Sequence, residues 1–300
     1  MFTMKLHNLN IVIFTFFLCF CFVLCGCEDS PKVGNGTDKD SDVLIVDSVL
    51  SEDTTWSADK VYTVEGVLEI PPDVILEILP GTTVKFGRDA LITVRGTLKI
   101  GTPISEVVLD DWVTLTSDKS NPGSGDWIGI LYDHTHDIDS FVRGAVIEYA
   151  DIALDINTAS PTVVDCVLLN NKTAITLDGS DSKIQYNTIH DNEVGIYTLG
   201  RQNRPRIEYN NITQNDVGIW CENVQSIIEF NNFERNNYGF RLNVKFDYNI
   251  SNNWWGVIIH DEIDKVILDV KDTDIIEKVL GTVTYEPISQ FRFEDAGPRE

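Results

Sequence analysis

Apolar and polar positions recur at a fixed spacing through residues 163–240. Each copy of the pattern has two apolar positions, then an asparagine, then a small residue followed by another apolar one. Successive copies begin 21, 23 and 21 residues apart, at Val163, Ile184, Ile207 and Ile228. A repeat of about 20 residues is typical of a solenoid, in which each repeat forms one coil of a stack.

Short alternating runs make up each copy. Ile184 and Tyr186 flank Gln185, and a similar alternation follows the small residue. This two-residue period predicts strands of a few residues with one buried face. If each strand pairs with its equivalent one coil later, ~4.8 Å away, the backbone N–H and C=O groups of both strands form hydrogen bonds. The pattern therefore predicts an all-β fold, a parallel β-helix.

Two columns of asparagine accompany the apolar pattern. One column holds Asn187, Asn210, Asn231 and Asn252, and the other holds Asn171, Asn192, Asn215 and Asn236. Asparagine tolerates the left-handed backbone that tight corners need, and stacked amides hydrogen-bond along a ladder. Because the columns repeat in every coil, we interpret them as structural rather than catalytic.

The pattern extends on both sides of these copies. Alternating runs separated by glycine and proline turns fill residues 61–100. Near the other end, Asn252-Asn253-Trp254-Trp255-Gly256 aligns with Asn231-Asn232-Phe233, which predicts that Trp254 replaces a core phenylalanine. We therefore predict a β-helix over residues 43–256, a C-terminal cap over 257–290 that covers the open end, and a tail over 291–300.

The N-terminal residues have the features of a targeting segment. An apolar run from Leu9 to Leu24 is short for a membrane span and is free of acidic residues. It ends in Leu24-Cys25-Gly26-Cys27, which resembles the bacterial lipoprotein signal and implies cleavage after residue 26 and lipidation of Cys27. Residues 1–26 would then be a lipoprotein signal peptide and 27–42 a flexible tether, with the membrane as a partner through the lipid. An ordinary secretory signal with incidental cysteines is the alternative.

Composition and the residues after the cleavage site indicate which binding partners and which cellular location to expect. The chain has 47 Asp+Glu against 23 Lys+Arg, a net charge of −24 at pH 7, which argues against nucleic acid and anionic membrane surfaces. Glu28 replaces the aspartate linked to inner-membrane retention, so we expect an outer-membrane lipoprotein, periplasmic or surface-exposed. Cys166 and Cys221 lie two coils apart, too far for a disulfide, and are expected as buried free thiols of a monomer.

An ordered set of motifs resembles one bacterial group. Leu79–Phe86, Val94–Leu98 and Gly125–Ile130 precede the asparagine-rich repeats and the Asn-Asn-Trp-Trp-Gly close. Over about residues 50–290 the chain resembles right-handed parallel β-helix repeat proteins of the pectin-lyase-like superfamily. The resemblance implies a single-stranded right-handed parallel β-helix. The superfamily includes polysaccharide lyases, hydrolases and carbohydrate-associated modules, so function stays open.

One outward column carries candidate binding groups. In successive coils it holds Asp155, Thr176, Tyr197, Trp220 and Arg241. A pectate-lyase-like site needs clustered acids beside a basic residue, whereas Arg241 lies about four coils, or ~19 Å, from Asp155. Tyr197 and Trp220 form an aromatic pair of the kind that stacks on sugar rings. Acceptors for sugar hydroxyls follow at Asp178, Glu222 and Asn243. A pair that only stabilises the stack is the alternative.

One short string has the character of a metal site. Asp133-His134-Thr135-His136-Asp137 offers two imidazoles and two carboxylates, a donor set for Zn²⁺ or Cu²⁺. A solvated loop is the alternative, as is a weak Ca²⁺ site at Asp137 and Asp139; no other cofactor is indicated. Arg201, Arg204 and Arg206 either hold an anion or pair with nearby acids such as Glu208.

These observations favour a noncatalytic, lipid-anchored β-helix protein of the bacterial cell envelope. Its side wall is expected to bind saccharide or another envelope polymer through Thr176, Asp178, Tyr197, Trp220, Glu222 and Arg241. A polysaccharide lyase or hydrolase of the pectin-lyase-like type is one alternative, and a structural or adhesive surface scaffold is the other. No catalytic residue is assigned.

Overall fold

The computed structural model describes residues 42–106, 111–135, 139–200, 203–223, 225–272 and 280–299. Cys27, with the predicted signal peptide and most of the tether, lies outside the described residues, as do His136, Asp137 and Arg201. In the described ranges the regular structure is almost entirely β-strand. No helix within these ranges is long and apolar enough to cross a membrane.

The strands are short and follow one another closely along the chain. Those of the first half are β1 (Val43–Val49), β2 (Thr54–Trp56), β3 (Val61–Ile70), β4 (Ile75–Ile78), β5 (Thr83–Phe86), β6 (Leu91–Val94), β7 (Thr97–Gly101), β8 (Val113–Ser117), β9 (Trp127–Asp133), β10 (Phe141–Arg143), β11 (Ala145–Glu148), β12 (Ala150–Asn157), β13 (Thr162–Val164) and β14 (Val167–Leu169). Those of the second half are β15 (Thr173–Asp178), β16 (Lys183–Gln185), β17 (Thr188–His190), β18 (Val194–Leu199), β19 (Arg206–Glu208), β20 (Asn211–Thr213), β21 (Val217–Cys221), β22 (Ile227–Glu229), β23 (Asn232–Glu234), β24 (Tyr238–Leu242), β25 (Tyr248–Asn249), β26 (Ile267–Leu268) and β27 (Val283–Thr284), with the helix α1 (His260–Asp264) before β26.

Each strand pairs with its equivalent in the next coil, and all strand pairings within the described residues are parallel. The pairs Val163–Ile184, Ile184–Ile207 and Ile207–Ile228 join the first positions of the four sequence copies. One sheet holds 8 strands from β2 to β22, and the strands of the other two positions in each coil join a 17-stranded sheet. The predicted fold is confirmed: the chain forms a parallel β-solenoid of about 9 turns.

Aliphatic side chains fill the inside of the coils. Leu168, Ile189 and Ile212 are stacked in register and have no exposed surface. Full burial of such a side chain contributes roughly 1.5–3 kcal/mol, set against the entropy lost on ordering the chain. Cys166 and Cys221 are buried free thiols, as predicted. Burial raises the pKa of Cys166 to about 12 and that of Cys221 to about 11.

The asparagine columns run through the interior as hydrogen-bonded ladders. Asn187 Nδ2 donates to Asn210 Oδ1 at 3.0 Å, and Asn210 Nδ2 donates to Asn231 Oδ1 at 2.9 Å. The predicted amide ladder is confirmed. The predicted left-handed backbone is present at Asn252 but is wrong for the seven other asparagines of the two columns. The residue before each takes that conformation, with φ of 56° at Tyr186 and 57° at Tyr209. The reason is that each amide must point into the coil, so the preceding residue makes the turn.

The last coil differs from the prediction by one residue. Asn231 N–H donates to Asn253 Oδ1 at 2.9 Å, so Asn253, and not Asn252, continues the ladder. Asn252 takes the left-handed corner position, with φ of 64°. Trp255, and not Trp254, therefore stacks on the core phenylalanine of the preceding coil, with ring centroids 4.7 Å apart. An extra residue in this coil shifts the register that a gapless alignment gives.

The chain continues past the last tryptophan with less regular structure. β26 pairs with β24, joining Phe240 to Ile267 and Arg241 to Leu268. β27 pairs with β25 in a separate two-stranded sheet. Ile263 of α1 is fully buried against the core. The role of this region as a cap stays a prediction.

Residues 291–299, which lie in the predicted tail, pack back against the stack and are called the strap. They cross a column of outward aromatic rings at the coil corners, the corner column, formed by Tyr186, Tyr209 and Phe230. Phe293 contacts Phe230 edge-on at 5.9 Å, and Gly297 N–H donates to the Tyr209 carbonyl at 2.9 Å. The Arg299 guanidinium lies 3.9 Å from the centre of the Tyr186 ring. The strap therefore spans successive coils in reverse order.

Candidate functional site

The outward column predicted from the sequence exists as one continuous row, the side wall. Strand register pairs Asp155 with Thr176, Thr176 with Tyr197, Tyr197 with Trp220 and Trp220 with Arg241. Thr176 is buried, and the other members of the row are partly exposed. The row belongs to the third strand of each coil, β12 to β24, because the side chain after the small-residue step alternates outward.

Aromatic and cationic groups stack along the axis at the centre of the side wall. The ring centroids of Tyr197 and Trp220 are 5.4 Å apart, with the rings tilted by 51°. The Arg241 guanidinium carbon lies 4.0 Å from the centre of the Trp220 ring. Trp220 is thus flanked by a neighbour from each adjacent coil, an arrangement that stabilises the stack. Trp220 remains partly exposed between these two neighbours.

Two buried donors in this row lack acceptors. Trp220 Nε1–H and Arg241 Nε–H have no hydrogen-bond partner among the described residues. Buried polar groups are normally paired, and an unpaired one costs roughly 1–3 kcal/mol. Two such donors on adjacent coils are therefore a feature that the packing of the stack alone does not explain.

Acceptor groups lie beside the aromatic row. Asn243 Nδ2 donates to the Glu222 carboxylate, and the Tyr197 phenol lies close to the same carboxylate. Burial, with the charge of Glu222, raises the pKa of Tyr197 to about 12. Burial, followed by repulsion from Asp178, raises the pKa of Asp155. The side wall therefore combines a stacked aromatic centre with an acidic, acceptor-rich border.

The Asp155–Asp178 interaction was not predicted from the sequence. Asp178 pairs with Asn157, so it lies one coil further and two residues along from Asp155, a diagonal neighbour at roughly 7–8 Å. The two aspartates belong to different outward columns, and from the sequence, residues were compared only within a column. Arg241 remains four register steps, or ~19 Å, from Asp155, so this wall supplies no base beside the two acids.

The predicted metal string is only partly within the described residues. His134 has a positive φ of 53°, is exposed, and places Nδ1 2.7 Å from Asp133 Oδ1. Asp133 Oδ2 also accepts from Arg95 Nε at 3.0 Å. The hydrogen bonds from His134 and then Arg95 lower the pKa of Asp133. The carboxylate of Asp133 is therefore ionised and shared between two side chains.

Of the three arginines proposed as an anion cluster, Arg206 pairs locally. Its Nη2 donates to Glu208 Oε1 at 2.6 Å. This is the pairing given as the alternative. Sequence reasoning also missed the corner column, although its signal is visible: an aromatic residue precedes Asn187, Asn210 and Asn231 alike.

Comparison with protein-family models matches residues 99–262, more than half of the chain, to the family described as periplasmic copper-binding protein (NosD). The chain belongs to the NosD family. This family consists of right-handed parallel β-helix proteins of the periplasm, so the predicted handedness and an envelope location are supported. Comparisons with curated proteins and with solved structures each give no match.

Proposed function

We propose that this NosD-family protein of the cell envelope is noncatalytic and that its side wall binds a saccharide or a similar hydroxyl-rich envelope polymer. The observation that carries the proposal is the partly exposed stack of Tyr197, Trp220 and Arg241, with the partly exposed acceptors Asp178 and Glu222 along its border. Sugar hydroxyls both accept and donate hydrogen bonds, so they complement such a mixed border.

The repeat supports a linear ligand aligned with the solenoid axis. Equivalent positions recur every ~4.8 Å, so a polymer lying along the wall meets a new set of groups at each coil. Because Tyr197 and Arg241 occupy the faces of Trp220, the ligand contacts ring edges and polar groups and does not insert between the rings. Binding of this kind relies on several weak contacts in series.

The test compares binding of the purified protein to an array of envelope polysaccharides. Glu222→Gln keeps the side-chain size and should weaken binding by about tenfold, since it replaces a charged acceptor by a neutral one. Trp220→Ala should weaken it at least as much. Tyr238→Ala, which removes an aromatic side chain that is 40% exposed and outside the wall, is the control. Unchanged binding by both wall variants, with unchanged melting temperatures, would reject this surface.

Membrane attachment through Cys27 is a separate part of the proposal. The sequence Leu24-Cys25-Gly26-Cys27 supports it, because it resembles a lipoprotein cleavage site. Acyl chains contribute ~0.8 kcal/mol per buried CH₂, enough for several chains to hold the protein on a bilayer. Mass spectrometry of the mature protein should show a lipidated N-terminal cysteine, and Cys27→Ala should release the protein from membranes. An unmodified mature Cys27 would exclude the anchor.

Metal binding is a second candidate, favoured by His134 beside Asp133 and by the copper-binding description of the family. Within the described ranges no group of three or more His, Cys, Asp or Glu side chains is placed to hold a metal. Cys166 and Cys221 do not fit either, because both are buried and their thiol pKa values are raised. The described residues alone therefore do not form a copper site. Calorimetric titration with Cu²⁺, Zn²⁺ and Ca²⁺ tests the string, with the His134→Ala/His136→Ala variant as comparison. Binding heat that is present in the parent and lost in the variant supports a metal site at the string. No binding heat in the parent with any of the three ions excludes it.

A further inference from the structure

A cavity of about 410 Å³ opens where the strap ends, away from the side wall, and is called the strap pocket. Its walls come from two sources, the coils and the strap. The lining residues used below are Glu106, Arg143, Lys183, Gln185, Tyr186 and Arg299. Pockets of roughly 300–1,000 Å³ accommodate small ligands. The volume is therefore sufficient for a small molecule and too small for a folded partner.

A buried cation forms the floor of the strap pocket. The Arg143 side chain is only 7% exposed, and its Nε donates to Asp165 Oδ2 at 3.0 Å. Its Nη1 donates to the carbonyls of Pro103 and Glu106, both at 2.8 Å. These contacts fix the guanidinium in one orientation. A charged group held in this way adds no ordering cost when it meets a ligand.

The strap adds a second cation to the same carboxylate. Arg299 Nε and Nη2 donate to the two oxygens of Asp165, each at 2.8 Å, while its guanidinium stacks on Tyr186. Asp165 has no exposed surface, so one buried carboxylate is shared by two guanidinium groups. The cluster of Arg143, Asp165 and Arg299 therefore carries a net charge of +1.

A third cation borders the opening. Lys183 is exposed on β16 and forms no ion pair with any described residue. The neighbouring acid Glu208 is already bound by Arg206 and by Gln185 Nε2, the latter at 2.7 Å. Glu106 is the acidic residue that lines the cavity. Three cationic side chains thus meet two acids, Asp165 and Glu106, a local excess of positive charge in a chain whose net charge is −24.

We infer that the strap pocket binds a small oxyanion, a phosphate or carboxylate group carried by a small molecule. Arg143 Nε and Nη1 and Arg299 Nε and Nη2 are used in the bonds given above, so each guanidinium has one remaining terminal nitrogen, Nη2 of Arg143 and Nη1 of Arg299, for an anion. Lysine adds a point charge at the entrance. Because Asp165 is fully occupied by the two arginines, an incoming anion does not have to displace it. Arg299 belongs to the strap, so the site forms only when the strap is docked.

Calorimetric titration of the full chain with inorganic phosphate and, separately, with malonate tests the inference, at fixed low ionic strength set with chloride. Saturable binding of phosphate alone identifies a phosphate site, and binding of malonate alone identifies a carboxylate site; binding of both supports the shared oxyanion chemistry. Lys183→Met should weaken binding by about tenfold, because it removes the unpaired cation at the entrance. Lys85→Met, which removes another exposed lysine, on β5, should change it by less than about twofold.

The strap supplies an independent measurement. Deletion of residues 291–300 removes Arg299 and should abolish anion binding, while circular dichroism reports whether the solenoid is intact. In the complete chain, saturating anion should raise the melting temperature and protect the strap from proteolysis, since ligand binding stabilises the state that binds it. Absence of saturable binding for both anions would overturn the inference. Equal weakening by Lys183→Met and Lys85→Met would do so as well, because it would indicate nonspecific screening.

Discussion

Replacing Asn210 with alanine should destabilise the stack far more than the loss of a surface asparagine. The Asn210 side chain has no exposed surface, and its Nδ2 donates to the Ile184 carbonyl at 2.8 Å and to Asn231 Oδ1 at 2.9 Å. Its Oδ1 accepts from both the backbone N–H and the side-chain amide of Asn187, each at 3.0 Å. Alanine leaves that backbone donor unpaired, at ~1–3 kcal/mol, and removes other bonds worth ~1 kcal/mol each. We expect the free energy of unfolding to fall by about 3–5 kcal/mol.

Urea titration followed by circular dichroism measures this change. The matched control is Asn237→Ala, whose side-chain amide is exposed and donates to Asp216 at 2.8 Å; its effect should stay within about 0.5 kcal/mol. Because a weakened central coil can uncouple the two ends of a solenoid, the slope of the transition must be compared as well as its midpoint. A loss in Asn210→Ala no larger than that of the control would refute the view that the buried ladder holds adjacent coils together.

Other groups give predictions of the same kind. Deleting the strap, residues 291–299, should lower the melting temperature without changing the far-ultraviolet spectrum, because it covers the corner column and does not enter the core; an unchanged melting temperature would contradict this. Cys166 and Cys221 should react with a thiol reagent at about pH 8 only after denaturation, since burial raises their pKa values to about 12 and about 11; prompt labelling of the native protein would count against it. Asp155→Asn should have a higher melting temperature than the parent at about pH 7 and the same melting temperature at about pH 3. The folded state raises the pKa of Asp155, so its ionisation costs stability as the pH rises through that pKa; equal melting temperatures at the higher pH would refute the shift.

The fold could be predicted because one physical rule generates it. A strand alternates its side chains with a period of two, so a fixed coil length places equivalent residues above one another. The register of Tyr197 over Trp220 follows from that rule, and so does the amide ladder through Asn210. The prediction became wrong at the last coil, where an extra residue moved Trp255 into the place expected for Trp254. A repeat fixes positions only while its length is constant.

The contacts of the strap could not be predicted from the repeat. Asn211 Nδ2 donates to the Ala296 carbonyl across a separation of 85 residues. The side-chain amide of Asn232 donates to the backbone carbonyl of Phe293 and accepts from its backbone N–H. The strap has no period of its own, so alternation gives no sign of where it docks. The corner column did leave a signal, an aromatic residue before each ladder asparagine, but the two-residue period assigned Tyr186 to the buried face together with Ile184, whereas the left-handed backbone at Tyr186 turns its ring outward.

A solenoid makes its surfaces as columns, and the chemistry of each column is set one coil at a time. The border of the side wall shows this, because one outward position holds Asp178, Leu199, Glu222 and Asn243 in four successive coils, so polar groups occupy three of the four. The strap pocket arises differently. Its floor is a coil residue, Arg143, but the second guanidinium comes from Arg299, which no repeat encodes. A nonrepeating segment laid over the columns thus adds a guanidinium group to a cavity in the wall of an acidic stack, a group that the repeat alone would not place there.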